Sequence, residues 1–421
     1  MKTARDLCWV AIAMATFVLV VELSLKFAGV HYESSLYRLD ADLGYVLRPG
    51  AEGWSVKERE NYERISAQGL WDRIHTLQRP PDTIRIAVVG DSFSEAKQVN
   101  LEQAWWAVME RELNRRLEPE HRRVEVINFG VAGYGLPQEY LVIKQKVWQF
   151  DPQIVLLTGT LHSLVLGTSR KYSSVQVAGG PIPYFVHSQD GLVLDEQTQR
   201  QRREFVPPGR LSDFMGDLTN ASQVMSLLNV LRRTVSVDIA HLQSKLKHPG
   251  RVTAKNPAPE ATHHELGFED TVLRGPADSE FTEAWRRAED LILMARDEVT
   301  RHNAEFWFVL LDMSPQVDPD ASRREATQRA LQVDNLYLAD RAFGEFATRE
   351  RIHHVLTAAD LLVVAEREKR ALHGFPNRPP NSGHWNEFGH ETAGALIARR
   401  LFDSSPRLES QPVADNHPLQ Q

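Results

Sequence analysis

IRIAVVGDSFSEA, residues 84–96, decides how this chain folds. The apolar run Ile84–Val89 ends in Gly90-Asp91-Ser92, and a helix-forming segment follows. A serine at the carboxyl end of a buried strand sits where open α/β sheets gather their ligands. The turn can hold the Ser92 hydroxyl clear of the core, and the helix beyond offers backbone N–H groups to a developing negative charge. Working outward, further strands are expected at Val124–Phe129, Ile154–Thr158, Phe306–Leu311 and Ile352–Leu356. Helical spacing of apolar residues lies between them: Leu136–Phe150, Glu283–His302, Arg329–Arg349 and Glu387–Phe402. Asn100 and Gln103 form a capping-box pattern for a helix running to Leu117. Short β-branched strands alternating with helices predict an α/β fold, a three-layer α/β/α domain around a five-stranded parallel, flavodoxin-like sheet.

The 421 residues carry a formal charge of −7 and 25% charged residues, which counts against nucleic acid as a partner. The single cysteine, Cys8, excludes an intrachain disulfide and any cysteine-based metal site. The pairs His353-His354 and His263-His264 have no third ligand nearby in the sequence, so no metal and no cofactor are expected. Residues 8–28 read as a transmembrane anchor of about the ~20 residues that span a bilayer. Lys2 and Arg5 precede it, which predicts a single-pass inner-membrane protein with its bulk in a bacterial periplasm. A cleavable signal peptide is the rival reading, disfavoured by Lys26 at the −3 position of the best small-residue site. Residues 30–80 read as a lead-in and 81–403 as the catalytic-type domain, interrupted by an insertion over 165–280. Within the insertion, Met215–Lys247 is expected to hold one or two amphipathic helices; 404–421 is expected to be a disordered tail.

Four blocks fall at or after strand ends: GDSF from Gly90, NFGVAGYG (128–135), TGTLHS (158–163) and PNSGHWNEFGHETAG (380–394). Together they resemble the SGNH/GDSL hydrolase superfamily of serine esterases and acyl-transfer enzymes, over residues 60–403. The last block resembles the membrane-anchored members found in bacterial exopolysaccharide gene clusters. SAQGLWDR (66–73) is similar to a segment often seen upstream of GDS in that group. The resemblance implies Ser92 as nucleophile, His384 as general base, and an oxyanion hole from the N–H groups of Ser92 and Gly133. Two positions depart from the pattern. Leu161 stands where the family has its asparagine donor, so His162 is taken as the nearest polar substitute. Asn381 stands where D-x-x-H supplies the acid, and is taken as a weaker support for the imidazole. Asp91 is expected to brace the turn and His390 to be structural; Asp360 is a remote stand-in for the acid. The implied activity is hydrolysis of acyl esters, most plausibly O-acetyl groups on a cell-envelope or exported polysaccharide, with membrane and acylated carbohydrate as partners. Polysaccharide O-acyl transfer, and a non-catalytic carbohydrate-binding role with a degenerate site, are the alternatives.

Overall fold

The computed structural model describes residues 2–169, 182–189, 191–205, 209–232, 270–275, 279–375, 379 and 381–409. Helix α1 (Lys2–Phe27) comes first, followed by two hairpins, β1 (Tyr37–Asp40) with β2 (Gly44–Leu47) and β3 (Glu52–Ser55) with β4 (Asn61–Arg64). The main alternation starts with β5 (Thr83–Val89), α2 (Ser92–Glu95), α3 (Trp105–Leu117), β6 (Arg123–Asn128), α4 (Leu136–Gln145), β7 (Ile154–Thr160) and α5 (Leu161–Val165). In the insertion lie the hairpin β8 (Phe185–Ser188) and β9 (Gly191–Leu194), then α6 (Glu196–Phe205), α7 (Gly209–Ala221) and α8 (223–232). The chain returns through α9 (Ser279–Arg301), β10 (Glu305–Leu311), α10 (Ala321–Leu331), α11 (Leu338–Arg349), β11 (His353–Leu356), α12 (Ala358–Glu368) and α13 (Glu387–Ser404).

The five parallel strands run in the order β11-β10-β7-β5-β6, so the second strand of the sheet lies outside the first and the rest add on the other side. This is the flavodoxin-like order, whose crevice opens at the carboxyl ends of the strands where the order reverses. Every residue of β5 and of β7 is buried, which requires cover on both faces. Helices supply it, with α3 packed on α13 and α4 on α9. One charge inside the sheet escaped the hydropathy pattern. Arg85 is fully buried in β5, where its guanidinium donates to Glu125 at 2.7 Å and to the carbonyls of Leu77 and Phe150. Such a charge is tolerable only because its donors are met.

Three expectations change. The span 329–349 is not one helix: α10 ends at Leu331, where Gln332 takes a left-handed conformation (φ 56°), and α11 starts at Leu338. The Gln103 side chain does accept from the Asn100 N–H at 3.2 Å, but this caps a 3₁₀ turn, and α3 begins only at Trp105. The tail is ordered through residue 409, with Leu408 buried and Ser405 Oγ donating to Glu305; 410–421 lie outside the described residues. So do 233–247 of the expected amphipathic stretch and His263-His264.

His390 ties the α3–α13 pair together: its Nδ1 accepts the Trp105 N–H at 3.2 Å. Accepting requires the neutral ring, and burial, reinforced by His384 and His373, lowers its pKa from 6.5 to about 3. The unfolded chain therefore takes up a proton as pH falls below 6.5 that the folded chain refuses. The stabilisation is whole above pH 6.5 and declines as pH drops towards 3, by about 2 kcal/mol at pH 5. Denaturant unfolding at pH 7 and pH 5 should show this loss, and His390→Asn, which keeps an acceptor but does not titrate, should shrink the difference by about that amount.

Candidate active site

Ser92 opens α2 directly after β5. Asp91 caps the helix, its Oδ1 accepting the Phe93 N–H at 2.9 Å. Burial raises the Asp91 pKa, and its place in the cap fits the expected bracing role. Close packing under the turn explains the glycines. A Cβ on Gly90 would stand 2.3 Å from Thr158 Oγ1, and one on Gly130 would stand 2.5 Å from the Glu95 nitrogen. Thr158 Oγ1 in turn pairs with Ser94 Oγ at 2.7 Å, locking α2 to β7.

His384 reaches Ser92 from the opposite end of the chain: Nε2 lies 2.7 Å from Ser92 Oγ. The loop that carries it is pinned by a short antiparallel bridge. Gly374 N–H donates to the His384 carbonyl at 3.0 Å, and the His373 ring Nδ1–H donates to the Gly383 carbonyl at 2.8 Å. On its far side His373 Nε2 meets Asp312 Oδ2 at 2.7 Å, and the same carboxylate accepts from Trp385 Nε1 at 3.2 Å. Asp312 ends at the edge of β10, so this buried relay fixes the histidine loop to the sheet.

The acid beside the imidazole is Glu58, not Asn381. Glu58 Oε1 lies 2.7 Å from His384 Nδ1, while Oε2 accepts the His384 backbone N–H at 3.2 Å. One buried carboxylate thus grips both the ring and the main chain. It fixes the tautomer with hydrogen on Nδ1 and leaves the Nε2 lone pair for the Ser92 hydroxyl. Asn381 points elsewhere, its Nδ2 donating to the Ser314 carbonyl at 3.0 Å. The role expected of it is corrected: it shapes the loop, in a left-handed conformation at φ 56°. Asp360 pairs with Arg400 on the surface and has no part in this cluster.

Glu58 lies in the turn between β3 and β4, within the stretch expected to be a lead-in. That hairpin is clasped on both sides. Arg59 pairs with Glu387 at the start of α13, and the Asn61 amide donates to the carbonyls of Lys97 and Val99. No spacing rule connects a glutamate to a histidine 326 residues away. A carboxylate in an otherwise mixed turn was the one available signal.

Across from the serine, the glycine loop is held by the other hairpin. Tyr45 Oη donates to the Ala132 carbonyl at 2.8 Å, and the Ala132 N–H donates to Glu95, which also accepts from Tyr37 Oη. Gly130, Val131 and Tyr134 spend their N–H groups on Asn128, Gly90 and Val131. Among the described residues the N–H groups of Ser92 and Gly133 make no hydrogen bond, and Gly133 has φ 78°. Leu161 turns its side chain wholly into the core, so the family's amide position is filled by packing. His162 follows on α5, half-buried, its pKa lowered to about 4 by burial, so its ring is neutral at neutral pH. Thr160, at the end of β7, was not singled out from the sequence. Its hydroxyl is buried without a partner among the described residues, and its N–H stands 3.5 Å from Asp91 Oδ2.

No family model and no curated protein matches the sequence. Solved structures similar to it include an acetyl xylan esterase, at 11% identity over 76% of this chain and 98% of that one, with TM-score 0.33. A member of the lipolytic G-D-S-L family from Veillonella parvula matches at 10% over 76% and 98%, TM-score 0.32. A lipase/acylhydrolase from Enterococcus faecalis matches at 11% over 78% and 99%, TM-score 0.32. At such distances the site must be read from its own geometry.

Gly383 offers a direct test of that geometry. It sits at φ 79°, and a Cβ there would stand 3.0 Å from Glu58 Oε2. Gly383→Ala should cost about 1–2 kcal/mol from the left-handed backbone and push the carboxylate off the ring. The expected readout is a modest fall in unfolding free energy with loss of the downfield His384 Nδ1–H proton resonance; a retained resonance would show that the contact is not tight.

Proposed function

We propose that this chain is a serine esterase of the SGNH/GDSL type, acting on acyl esters through Ser92, His384 and Glu58. The observation that carries the reading is the continuous hydrogen-bonded series Ser92 Oγ, His384, Glu58, with 2.7 Å at both links of the imidazole. His384 Nε2 takes the Ser92 proton as Oγ attacks the ester carbonyl carbon. The tetrahedral oxyanion is met by the free N–H groups of Ser92 and Gly133. On collapse the protonated imidazole returns the proton to the departing alcohol oxygen, leaving an acyl-serine. Water, deprotonated by the same nitrogen, releases the acid and restores the serine. Glu58 holds the imidazolium throughout by charge, which an asparagine could not do. The grounds for a degenerate, merely binding site are the lost amide at Leu161 and Asn381 in place of the acid; Glu58 supports the catalytic reading against the second.

The substrate class we favour is an O-acetylated polysaccharide at the cell envelope. It rests on the resemblance of the GHWNEFGH block and on α1, which is long and apolar enough to cross a membrane, with a mean hydropathy of 2.2 over an 18-residue window within Arg5–Phe27. We read α1 as a retained anchor with the enzyme on the periplasmic side. Its Glu22 carboxylate accepts from Ser222 Oγ at 2.8 Å and from the N–H groups of Gln223 and Val224 at 3.0 Å, bonds that a cleaved leader would forfeit. Passage of the acyl group to a sugar hydroxyl instead of water is the competing outcome of the same acyl-enzyme. Its measure is the partition between acetate and acetylated sugar.

A fluorophosphonate probe should label the protein at Ser92. Labelling should vanish in Ser92→Ala and fall by roughly 10²–10⁴ in rate in Glu58→Gln, while Asn381→Ala stays close to wild type. Equal labelling of wild type and Glu58→Gln would remove the glutamate from the mechanism. A third oxyanion donor at the end of β7 is proposed to be His162, with the Thr160 hydroxyl as its competitor. His162→Ala should lower kcat on a p-nitrophenyl ester by about 10²–10³ with KM little changed. If Thr160→Val produces that loss instead, the hydroxyl is the donor.

A further inference from the structure

Helix α7 is amphipathic in the wrong sense for a soluble protein. Its polar face is bonded to its own protein, although Asp217 stays exposed. Asp213 pairs with Arg38 at 2.8 Å, Asp217 and the Asp213 carbonyl accept from the buried Arg48, and the Asn220 amide exchanges hydrogen bonds with Ser35 and Glu52. Gly216 lies on the Arg48 guanidinium so closely that a Cβ would stand 2.7 Å from it. The opposite face holds Leu211, Phe214, Met215 and Leu218 at i, i+3, i+4 and i+7, between 42% and 62% exposed. Leu228 and Leu231 on α8 are likewise exposed, at 53% and 51%. A contiguous apolar stripe of this size, presented by a helix whose polar side is spent on its own protein, marks a surface that is covered in use.

We propose that the outer faces of α7 and α8 lie on the lipid bilayer, immersed at the level where α1 emerges from it. The occupant is identified by what the stripe is joined to. Glu22, in the last turns of α1, caps α8 through three hydrogen bonds to residues 222–224, so the α7–α8 junction is fastened to the end of the membrane span. The helix around that carboxylate exposes its own apolar side chains, Leu19, Val20 and Leu23 among them. The two exposed apolar surfaces therefore meet at one depth, and an interfacial helix buries its apolar side ~5–10 Å into the boundary of headgroups and chains. The inference rests on the reading of α1 as a retained anchor. It adds a second, in-plane contact that would hold the domain at a fixed tilt instead of leaving it to swing on one tether.

Full-length protein reconstituted in phosphatidylethanolamine/phosphatidylglycerol vesicles tests this with an environment-sensitive fluorophore. Cys8, the single native cysteine, reports on α1. On a Cys8→Ser background, Phe214→Cys and Leu231→Cys report on the stripe, and Arg329→Cys on exposed α10 serves as the aqueous reference. The expected result is a blue-shifted emission at 214 and 231 that is lost when nitroxide-labelled lipids are added and resists iodide, with the reverse at 329. Iodide quenching at 214 equal to that at 329 would overturn the proposal. Protection from both quenchers would also overturn it, since protein, such as a second copy, would then cover the stripe. Failure of lipid quenching at Cys8 would instead sink the anchor itself, so the two readings fail separately.

Discussion

The contact between Glu58 and His384 is the constraint around which the site is built. A carboxylate buried this deeply is costly unless its oxygens are occupied, and here each has its own donor on the same histidine. That requirement fixes three things at once: the position of the loop carrying His384, the tautomer of its ring, and the docking of the β3–β4 hairpin. The Asp312–His373–Trp385 cluster holds the same loop from behind, so the imidazole is set between two buried carboxylates with different tasks. Glu58 faces the reacting nitrogen's partner across the ring; Asp312 never touches the ring of His384 and acts through the main chain.

The segment between α1 and β5 thereby becomes part of the candidate site. One hairpin delivers the acid, and the other, through Tyr45, Tyr37 and Glu95, holds the glycine loop so that Gly133 keeps its N–H free. Sheet and helices alone place only the serine and the loops. The same segment also fills the core with Leu36, Leu43, Tyr45, Leu47, Ile65 and Trp71, so it is built into the domain and not appended to it.

How much of this was legible follows from the range of each signal. The strands and the switch-point position of Ser92 rest on hydropathy and on glycine-rich turns, which are local, and the structure follows them closely. The approach of His384, 292 residues away, is implied only by the family resemblance, and the two side chains do meet. Leu161, by contrast, was recognised as a departure from the amide pattern, but not that it serves the core. Burial depends on the neighbouring helices, which a linear reading does not supply. Glu58 was invisible for a stronger reason: its partner is on the last helix's approach, and nothing in a short mixed turn distinguishes a catalytic carboxylate from a solvated one. The break between α10 and α11 was missed because the residues between them are not strong helix breakers; a single left-handed residue, Gln332, ends α10.

The long sequence separation of the acid has a mechanical consequence. The β3–β4 hairpin forms a sheet of its own, held to the body by buried Ala51, Glu63 and Ile65 as well as by the Arg59–Glu387 pair, the Asn61 amide and Glu58 itself. Without the hairpin, Ser92 and His384 would face each other lacking the group that fixes the ring's tautomer. On the proposed mechanism, competence therefore depends on the docking of this hairpin as well as on the central sheet. The same stretch of chain connects the domain to α1, so on the proposed membrane reading whatever orients the domain also acts on the segment that carries Glu58.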